Sequence, residues 1–524
     1  MIRPTFLGFE TAKRGLTAAQ KGIDIAGHNL TNWDSAGYTR QRVTQVAVAP
    51  DSYRSRLIGD RSGFAGQGVD VTGITQIRDT FLDKRYRDEA SDLGYFNQAS
   101  TVLNDIQSSI NEYDPKNDAG LRGRFMALSN ALQEFSLNAY SETHANIVAT
   151  EFKNLTQTLW QLSSKLDASR EQQVYDTEVS VQEINKKLNQ LAGLNQAIME
   201  DAAITQKSEY FGPNELLDQR NLLLDELSQY VDISYTTMPD TTVTVKINGH
   251  VAVEGTKFDK MEMSVDEKTD VVGVRWISSN RPVDLTSGSL KANIDFLNGR
   301  GNTLVNQGET NKMGYFYYKD RLDYLAETVA SVANRAIPMT DENGNIIKNG
   351  DEIVYKKLLG GLSSELGADG RYHVDDSIKI TASNISLSDE WTEDYSYVIF
   401  QKGEGDVPDN VGNYAQALME AITEKPQVFG PESDRFTGSF LDYIKGYATT
   451  LAEDISFHEN RETAVSTISS TLEDTRDGVS GVVVDEEVSN IMMYQKSLSA
   501  ASRLMTVMDE ALDLIINKMG LVGR

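Results

Sequence analysis

The sequence predicts a mainly α-helical protein, in which a coiled coil joins the two chain ends and β-rich domains are inserted between helices. Three observations lead to this fold class. Apolar residues recur at steps of three and four near both termini and along most of the interior. From Val231 the pattern changes to alternation, and Asn248-Gly249 between two alternating runs predicts a β-hairpin. The 524 residues also exceed what one hydrophobic core supports, so several domains are expected.

The first helix is predicted from an apolar stripe in residues 2–42. Asn29, Asn32 and Gly37 then supply helix-stop and turn chemistry, because Asn and Gly accept the left-handed backbone conformation at low cost. The members of the stripe are Ile2, Phe6, Phe9, Ala12, Leu16, Ala19, Ile23, Ala26 and Leu30.

The last helix is predicted from a second stripe in residues 484–519, whose members alternate steps of three and four in the manner of the a/d seam of a coiled coil. Neither terminal stripe can bury itself alone, so we expect the two helices to pair. Residues 1–47 carry six Lys/Arg against three acids, and residues 484–524 carry four against six. These opposite net charges fit mutual packing. The members of the seam are Ile491, Tyr494, Leu498, Ala501, Met505, Met508, Leu512, Ile515 and Met519.

Between the chain ends, the pattern predicts helices interrupted by two insertions. Residues 148–198 keep one heptad frame, and no proline lies between Pro115 and Pro213, so a helix of about 50 residues is expected. Residues 441–472 form another long stripe, which Gly478 and Gly481 are expected to end. The predicted parts are a terminal coiled-coil domain (1–47 plus 484–524), an elongated helical domain (48–230 plus 287–337 plus 438–483), an inserted β domain (231–286) and a second inserted, mixed and loop-rich subdomain (338–437).

Composition excludes several classes of function. The net charge of −27 argues against nucleic acid and anionic membranes as partners. The absence of cysteine removes disulfides and thiolate metal sites. No apolar run approaches the roughly 20 residues that span a bilayer. The N-terminus has no apolar segment typical of a secretory signal peptide, so composition alone indicates the cytoplasm.

One candidate metal site lies in residues 341–352, where Asp341, Asn343, Asn345 and Glu352 match positions 1, 3, 5 and 12 of a calcium-binding loop. Position 6 of that loop requires glycine for its sharp turn, and this chain has Ile346 there. We therefore expect a simple turn between two strands.

The five histidines show no metal-ligand spacing, and no nucleophile, phosphate-binding or dinucleotide-binding motif is present in the sequence. His458 shares a helix face with Ile455 and Val465, so we expect a packed, hydrogen-bonded side chain. His373 lies near Asp375 and Asp376 in a turn-rich segment, where a solvated ring is expected. We predict no catalytic residue, no cofactor and no metal. The remaining histidines are His28, His144 and His250.

A family resemblance rests on the run GLTAAQKGIDIAGHNLTNWDSAGYTRQR at residues 15–42. This run is similar to the N-terminal signature of the flagellar axial proteins, which comprise rod, hook and hook-associated proteins. In that signature a helix rich in small residues ends in an Asn-x-x-Asn pair and a Gly-Tyr turn, matched here by Asn29, Asn32, Gly37 and Tyr38. The form Gly37-Tyr38-Thr39-Arg40-Gln41 most resembles the hook-associated members. Three further runs agree with them, at residues 68–87, 216–233 and 479–504.

The resemblance implies a structural protein at the junction of hook and filament, which assembles through its terminal helices. Implied partners are hook protein, hook-associated protein 3, further copies of the chain and an export chaperone at the C-terminal helix. The implied location is the extracellular flagellum, reached through the flagellar type III pathway without cleavage of a signal peptide. Another axial protein of the rod or hook remains an alternative, and a secreted enzyme with its site in an insertion is a second. The expected assembly interface comprises Phe6, Phe9, Leu16, Ile23, Asn29, Leu30, Asn32, Gly37, Tyr38, Ile491, Leu498, Met505, Met508, Leu512 and Ile515.

Overall fold

A computed structural model describes residues 5–48, 68–110, 120–205, 213–341, 345–367, 369–375, 377–399, 411–514 and 516. Long helices dominate the described chain, with small antiparallel sheets between them, so the predicted fold class is confirmed. The helices are α1 Thr5–Thr31, α2 Thr80–Ile110, α3 Leu121–Leu137, α4 Glu142–Thr205, α5 Asn214–Tyr230, α6 Ser289–Leu297, α7 Tyr315–Ala333, α8 Asp389–Glu393, α9 Val411–Thr423, α10 Phe440–Ser480 and α11 Val484–Asp513.

The sheets contain two to four strands each. Their strands are β1 Gln41–Ala47, β2 Val69–Gln76, β3 Ile233–Thr237, β4 Val243–Ile247, β5 His250–Glu254, β6 Lys257–Phe258, β7 Met261–Val265, β8 Val272–Trp276, β9 Lys348–Asn349, β10 Glu352–Ile353, β11 Leu359–Leu366, β12 Tyr372–Asp375, β13 Ile385–Leu387, β14 Gln427–Phe429 and β15 Phe436–Gly438. Strand orders are β1-β2, β3-β4-β5-β6, β7-β8, β10-β9, β12-β11-β13 and β14-β15.

Helix α4 extends over 64 residues, which corresponds to about 96 Å at 1.5 Å per residue. Its first half, from Val148 to Leu166, packs in a core formed with α2, α3, α7 and α10. Its second half, from Val181 to Ala192, packs in a separate core with α5 and the strands β3–β8. The unbroken apolar stripe of this helix therefore supports two cores in succession.

The inserted β segment begins where the sequence changes period. Strands β4 and β5 pair antiparallel, with Ile247 opposite His250. Asn248 and Gly249 between them both have positive φ values, of 41° and 83°, as a tight two-residue hairpin turn requires. The Asn-Gly hairpin prediction is confirmed.

The segment 338–437 contains short strands, α8 and α9, and its apolar side chains join the first core. Trp391 is completely buried, with its ring 5.3 Å from that of Phe152 on α4. The Ser388 hydroxyl accepts a hydrogen bond from the Trp391 backbone N–H and caps α8. The segment is therefore built onto the long helices, while the division of the chain into four domains stays a prediction.

Helix α10 begins with a capping box, in which Ser439 and Asp442 each accept a hydrogen bond from the other's backbone N–H. The expectation that Gly478 ends this helix is wrong, because the helix continues to Ser480 and only Gly481 follows its end. A single glycine inside a long helix costs only about 1 kcal/mol, which packing of the other turns offsets. Within the described ranges, no helix combines the length and apolar character needed to cross a bilayer.

Candidate assembly interface

Helices α1 and α11 pack against each other in antiparallel orientation, so the two chain ends meet as expected. Between positions 8 and 26, small residues occupy the face of α1 that contacts α11. Alanines at positions 12, 19 and 26 are each at most 3% exposed, and glycines alternate with them. A side chain added at these glycines would lie closest to a residue of α11 in each case: Gly8 faces Met508, Gly15 faces Ala501 and Gly22 faces Tyr494. The seam therefore allows the two helix backbones to approach closely.

The larger apolar residues of α1 that were predicted for the assembly interface lie beside the seam. Each follows a seam residue directly in the sequence, either one of the three glycines or Asn29. Phe9, Leu16, Ile23 and Leu30 are half-buried. Of the predicted α1 stripe, the alanines at 12, 19 and 26 are turned toward α11 together with the glycines, while the role of these four larger residues in an assembly interface stays a prediction. The spacing of seven between the glycines was visible in the sequence and could have identified the true seam. The structure does not describe the side chain of Phe6.

The predicted seam of α11 faces α1. Its described members are half-buried, while most other positions of the helix are exposed. Ile515 lies outside the described residues. The half-buried members are Ile491, Tyr494, Leu498, Ala501, Met505, Met508 and Leu512.

Asn29 fixes the exit of the chain from α1. Its side-chain amide donates to the Gln41 carbonyl oxygen at 2.9 Å, and its Oδ1 accepts from the Gln41 N–H at 3.0 Å. The Tyr38 hydroxyl donates to the same Oδ1 at 2.7 Å. Because Asn29 is only 1% exposed, loss of this amide would leave several buried polar groups without partners. The first Asn of the signature thus anchors the start of β1.

The other signature residues shape the turn between α1 and β1. The Asn32 side-chain amide donates to the His28 carbonyl oxygen at 3.0 Å, and the Asn32 backbone N–H and the Thr31 hydroxyl donate to the same oxygen at the helix end. Gly37 has φ of +76°, and a Cβ there would lie 3.1 Å from Leu222 of α5. Burial raises the pKa of Tyr38 above its usual value. A neutral Tyr38 hydroxyl can therefore keep donating to Asn29 across the physiological pH range.

Arg40 connects the N-terminal turn to the beginning of α11. Its guanidinium donates to both carboxylate oxygens of Glu486, at 2.7 and 3.1 Å, and to Glu487 Oε1 at 2.7 Å. The hydrogen bond with Glu486 raises the pKa of Arg40, and the same contact lowers the pKa of Glu486. Glu487 is only 2% exposed, so Arg40 is the partner that makes burial of its carboxylate tolerable. The Arg40 N–H also donates to the Ser480 carbonyl oxygen at 2.8 Å.

A second set of ion pairs lies close to this contact, around the same surface hollow. Asp225 of α5 accepts from Arg87 of α2 at 2.6 Å and from Arg476 of α10 at 2.7 Å. Arg78 donates to Asp83 at 2.6 Å and to the Thr39 hydroxyl at 3.0 Å. The four sequence runs that carry the family resemblance, at 15–42, 68–87, 216–233 and 479–504, therefore converge in space. The sequence shows no spacing that could have paired these charges in advance.

The other chemical candidates from the sequence form no evident site. In the described residues, no group of three or more His, Asp or Glu side chains could hold a metal ion. In the calcium-loop segment, Asp341 accepts from the backbone and side-chain N–H groups of Asn345, at 2.8 and 3.1 Å. Asn343 lies outside the described residues.

His373 and His458 both have defined surroundings. The His373 ring is exposed, as expected, and contacts Asp369 at 2.9 Å and Asp389 at 2.8 Å, while Asp376 lies outside the described residues. His458 is buried among aromatic rings as expected, but its Nδ1 has no hydrogen-bond partner in the described part of the chain. Burial lowers the pKa of His458 to about 4.

Comparison with known proteins gives consistent results. Residues 103–337 match the family described as flagellar hook-associated protein FlgK helical domain. Flagellar hook-associated protein 1 of Bacillus subtilis is 28% identical over 539 residues, covering 99% of both chains. The protein of the same name from Salmonella typhimurium is 24% identical, covering 97% of this chain and 98% of its own. The structure of the flagellar hook junction protein FlgK from Burkholderia pseudomallei shares the fold with a TM-score of 0.54 at 13% identity. That comparison covers 76% of this chain and all of the other.

The paired terminal helices, the long helical interior and these matches define a structural protein of the flagellar axis. Within that class, the relatives that the chain resembles over nearly its whole length carry the name flagellar hook-associated protein 1. The resemblance expected from residues 15–42 is confirmed.

Proposed function

We propose that this protein joins the hook to the filament of the bacterial flagellum and performs no catalysis. The observation that carries the proposal is the terminal helix pair. The α1 side of its seam consists of small residues, so the larger apolar side chains of α1 lie beside the seam and are only half-buried. Several apolar side chains of α11 outside the seam are exposed. Exposed apolar surface of this extent is typical of a protein that binds neighbours.

The assembled protein would meet hook protein on one side and hook-associated protein 3 on the other. It would also contact further copies of itself through the residues predicted from the sequence. Before export, a chaperone would cover the C-terminal helix, because the exposed methionines and valines of α11 favour aggregation in the cytoplasm. The chain would leave the cell through the flagellar type III pathway without cleavage.

Deletion of the gene tests the junction role. We expect non-motile cells that retain hooks and release unassembled flagellin into the medium. Electron microscopy counts the hooks and filaments, and immunoblotting of the medium measures flagellin. Cells that also lack hooks would instead indicate a rod or hook protein, and normal filaments would refute an axial role.

A matched pair of variants tests whether the terminal helix pair is required. Ala19→Glu places a carboxylate at a position that is 3% exposed in the seam, whereas Gln20→Glu places the same group at the neighbouring exposed position. Because an unpaired buried charge is costly, we expect only Gln20→Glu to restore filaments in the deletion strain. Equal restoration by both variants would mean that the helix pair is dispensable.

A further inference from the structure

A groove lies between helix α4 and strand β13, far along the chain from the terminal helices. One wall is the continuous run 383–387, which includes the whole of β13. The groove has a volume of about 320 Å³, which accommodates a short segment of chain but no folded domain. The other wall consists of α4 side chains at positions i, i+3, i+4 and i+7 of one helix face, namely Lys153, Thr156, Gln157 and Trp160.

Strand β13 has one edge that is paired with β11 and one that is open. On the paired edge, the Asn384 carbonyl oxygen accepts a hydrogen bond from β11 at 2.7 Å, and the Ser388 N–H donates one to the residue that precedes β11 at 2.8 Å. Backbone groups of successive residues in an antiparallel strand point alternately toward the partner strand and away from it. The backbone groups of Ile385 and Leu387 therefore point away from β11.

The open edge presents backbone groups that have no hydrogen-bond partner in the described part of the chain. The Ile385 N–H donates to the Thr381 carbonyl oxygen at 3.0 Å, which leaves the carbonyl oxygen of Ile385 free. The N–H and the carbonyl oxygen of Leu387 are free as well. These three groups follow the spacing of a strand edge, so an extended segment in the groove can form three backbone hydrogen bonds with them.

The side chains around the groove indicate what kind of segment it fits. Trp160 and Tyr395 are 54% and 39% exposed, and aromatic side chains of this size supply much of the contact energy in protein interfaces. Of the described residues that line the groove, only Lys153 carries a charge, although the whole chain has a net charge of −27. The groove therefore favours a segment that carries an apolar side chain and an acidic one.

We propose that this groove binds an extended peptide segment of another protein, with an apolar and an acidic side chain, which adds as a strand to the open edge of β13. In strand addition, main-chain hydrogen bonds supply affinity and alternate side chains supply specificity, which accounts for both walls of the groove. A carbohydrate would also stack on Trp160, but its hydroxyl groups do not follow the spacing of a strand edge. The inference does not depend on the proposed junction function, because the groove lies outside the terminal helix pair.

Peptide selection tests the site. The full-length protein would be panned with a phage library of random octapeptides, and the most enriched sequences would be synthesised as acetylated amides for calorimetric titration. We expect these peptides to combine an acidic with an apolar residue, and Trp160→Ala should weaken their binding at least about tenfold. Tyr175→Ala is the matched control, because Tyr175 is a comparably exposed aromatic residue of α4 outside the groove, and it should leave binding unchanged.

N-methylation of the selected peptide separates strand addition from docking through side chains alone. A methyl group on an amide that faces β13 removes a hydrogen bond and obstructs pairing, whereas a methyl group on the next residue points away from the edge. Methylation of every second residue should therefore weaken binding at least about tenfold in one register and leave it nearly unchanged in the other.

Other results would overturn the inference in distinguishable ways. A library without enriched peptides, or peptides that bind Trp160→Ala as tightly as wild type, would show that the groove is not a peptide site. Equal effects of the two methylation registers would refute strand addition. Binding of chitotriose that Trp160→Ala abolishes, without any peptide binding, would assign the groove to carbohydrate. Because Trp160 is exposed, the variant should fold normally, and circular dichroism checks this.

Discussion

Glycine in the terminal seam has two effects: it lowers helix propensity, and it allows α11 to approach α1 closely. Substitution of Gly22 by alanine tests both effects at one position. Alanine stabilises a helix interior by about 1 kcal/mol relative to glycine, whatever its neighbours. At position 22, however, the added Cβ would lie 2.6 to 2.8 Å from three ring atoms of Tyr494. Ordinary carbon contacts lie near 3.5–4.0 Å, so the ring or the helix has to move, and overpacking of this kind costs about 1–3 kcal/mol. Gly22→Ala should therefore range from neutral to about 2 kcal/mol destabilising.

Gly27→Ala is the matched control, because a Cβ at Gly27 meets no atom within 4 Å on the same helix. The gain in helix propensity cancels between the two variants. Their difference in opening free energy should therefore be about 1–3 kcal/mol, which corresponds to a roughly 5- to 150-fold difference in amide exchange rate. Hydrogen exchange followed by mass spectrometry measures this for peptides of α1 and α11 in the full-length protein.

Equal slowing of exchange in both variants would refute close helix approach at Gly22. A second measurement examines the cause directly. In a Tyr494→Ala background the obstructing ring is absent, so Gly22→Ala should become stabilising by about as much as Gly27→Ala. Persistence of the difference in that background would mean that the cost arises elsewhere than at the ring.

Three further predictions concern the turn, the ion pair and a buried histidine. Arg40→Met should destabilise the terminal region by about 2–4 kcal/mol, measured by denaturant titration, because it leaves the buried Glu487 carboxylate unpaired. Adding Glu487→Gln to this variant should recover part of the lost stability. Asn29→Ala should lower the free energy of unfolding by about 1–3 kcal/mol and Asn32→Ala by under 1 kcal/mol, since only Asn29 is fully buried. Equal losses of stability in the two variants would contradict the role of Asn29 as an anchor. The pKa of His458 is about 4 in the folded protein and near 6.5 in the unfolded chain. The neutral ring therefore contributes its full stabilisation above pH 6.5, and this stabilisation is lost as the pH falls toward 4, because the unfolded chain then binds the proton first. The free energy of unfolding of wild type minus that of His458→Leu should thus decrease by roughly 3 kcal/mol over this range, and a pH-independent difference would contradict a buried neutral ring.

Apolar periodicity predicted most of the helical architecture because long helices and their packing are local consequences of side-chain spacing. The α4 stripe between Val148 and Ile198 identified a helix that the structure extends to 64 residues. The Asn248-Gly249 turn was equally predictable, since both residues tolerate the backbone conformation that it requires.

The seam between α1 and α11 was less predictable because contact between helices depends on backbone distance as well as apolar character. Leu16 and Ile23 are the more apolar candidates, yet Gly15 and Gly22 occupy the seam because they allow a closer approach. The partners of Arg40 could not be inferred either, because 446 residues separate it from Glu486 and no local pattern links them.

The pairing of α1 with α11 has a consequence for the order in which the protein can fold. A ribosome or an export channel that delivers the chain from its N-terminus releases α1 long before α11, because almost the entire sequence lies between them. The interior cores draw on residues 99–455 and can form earlier. In such delivery, the terminal seam can close only after α11 has been released, so a neighbouring subunit that binds the closed helix pair has to wait for almost the whole chain.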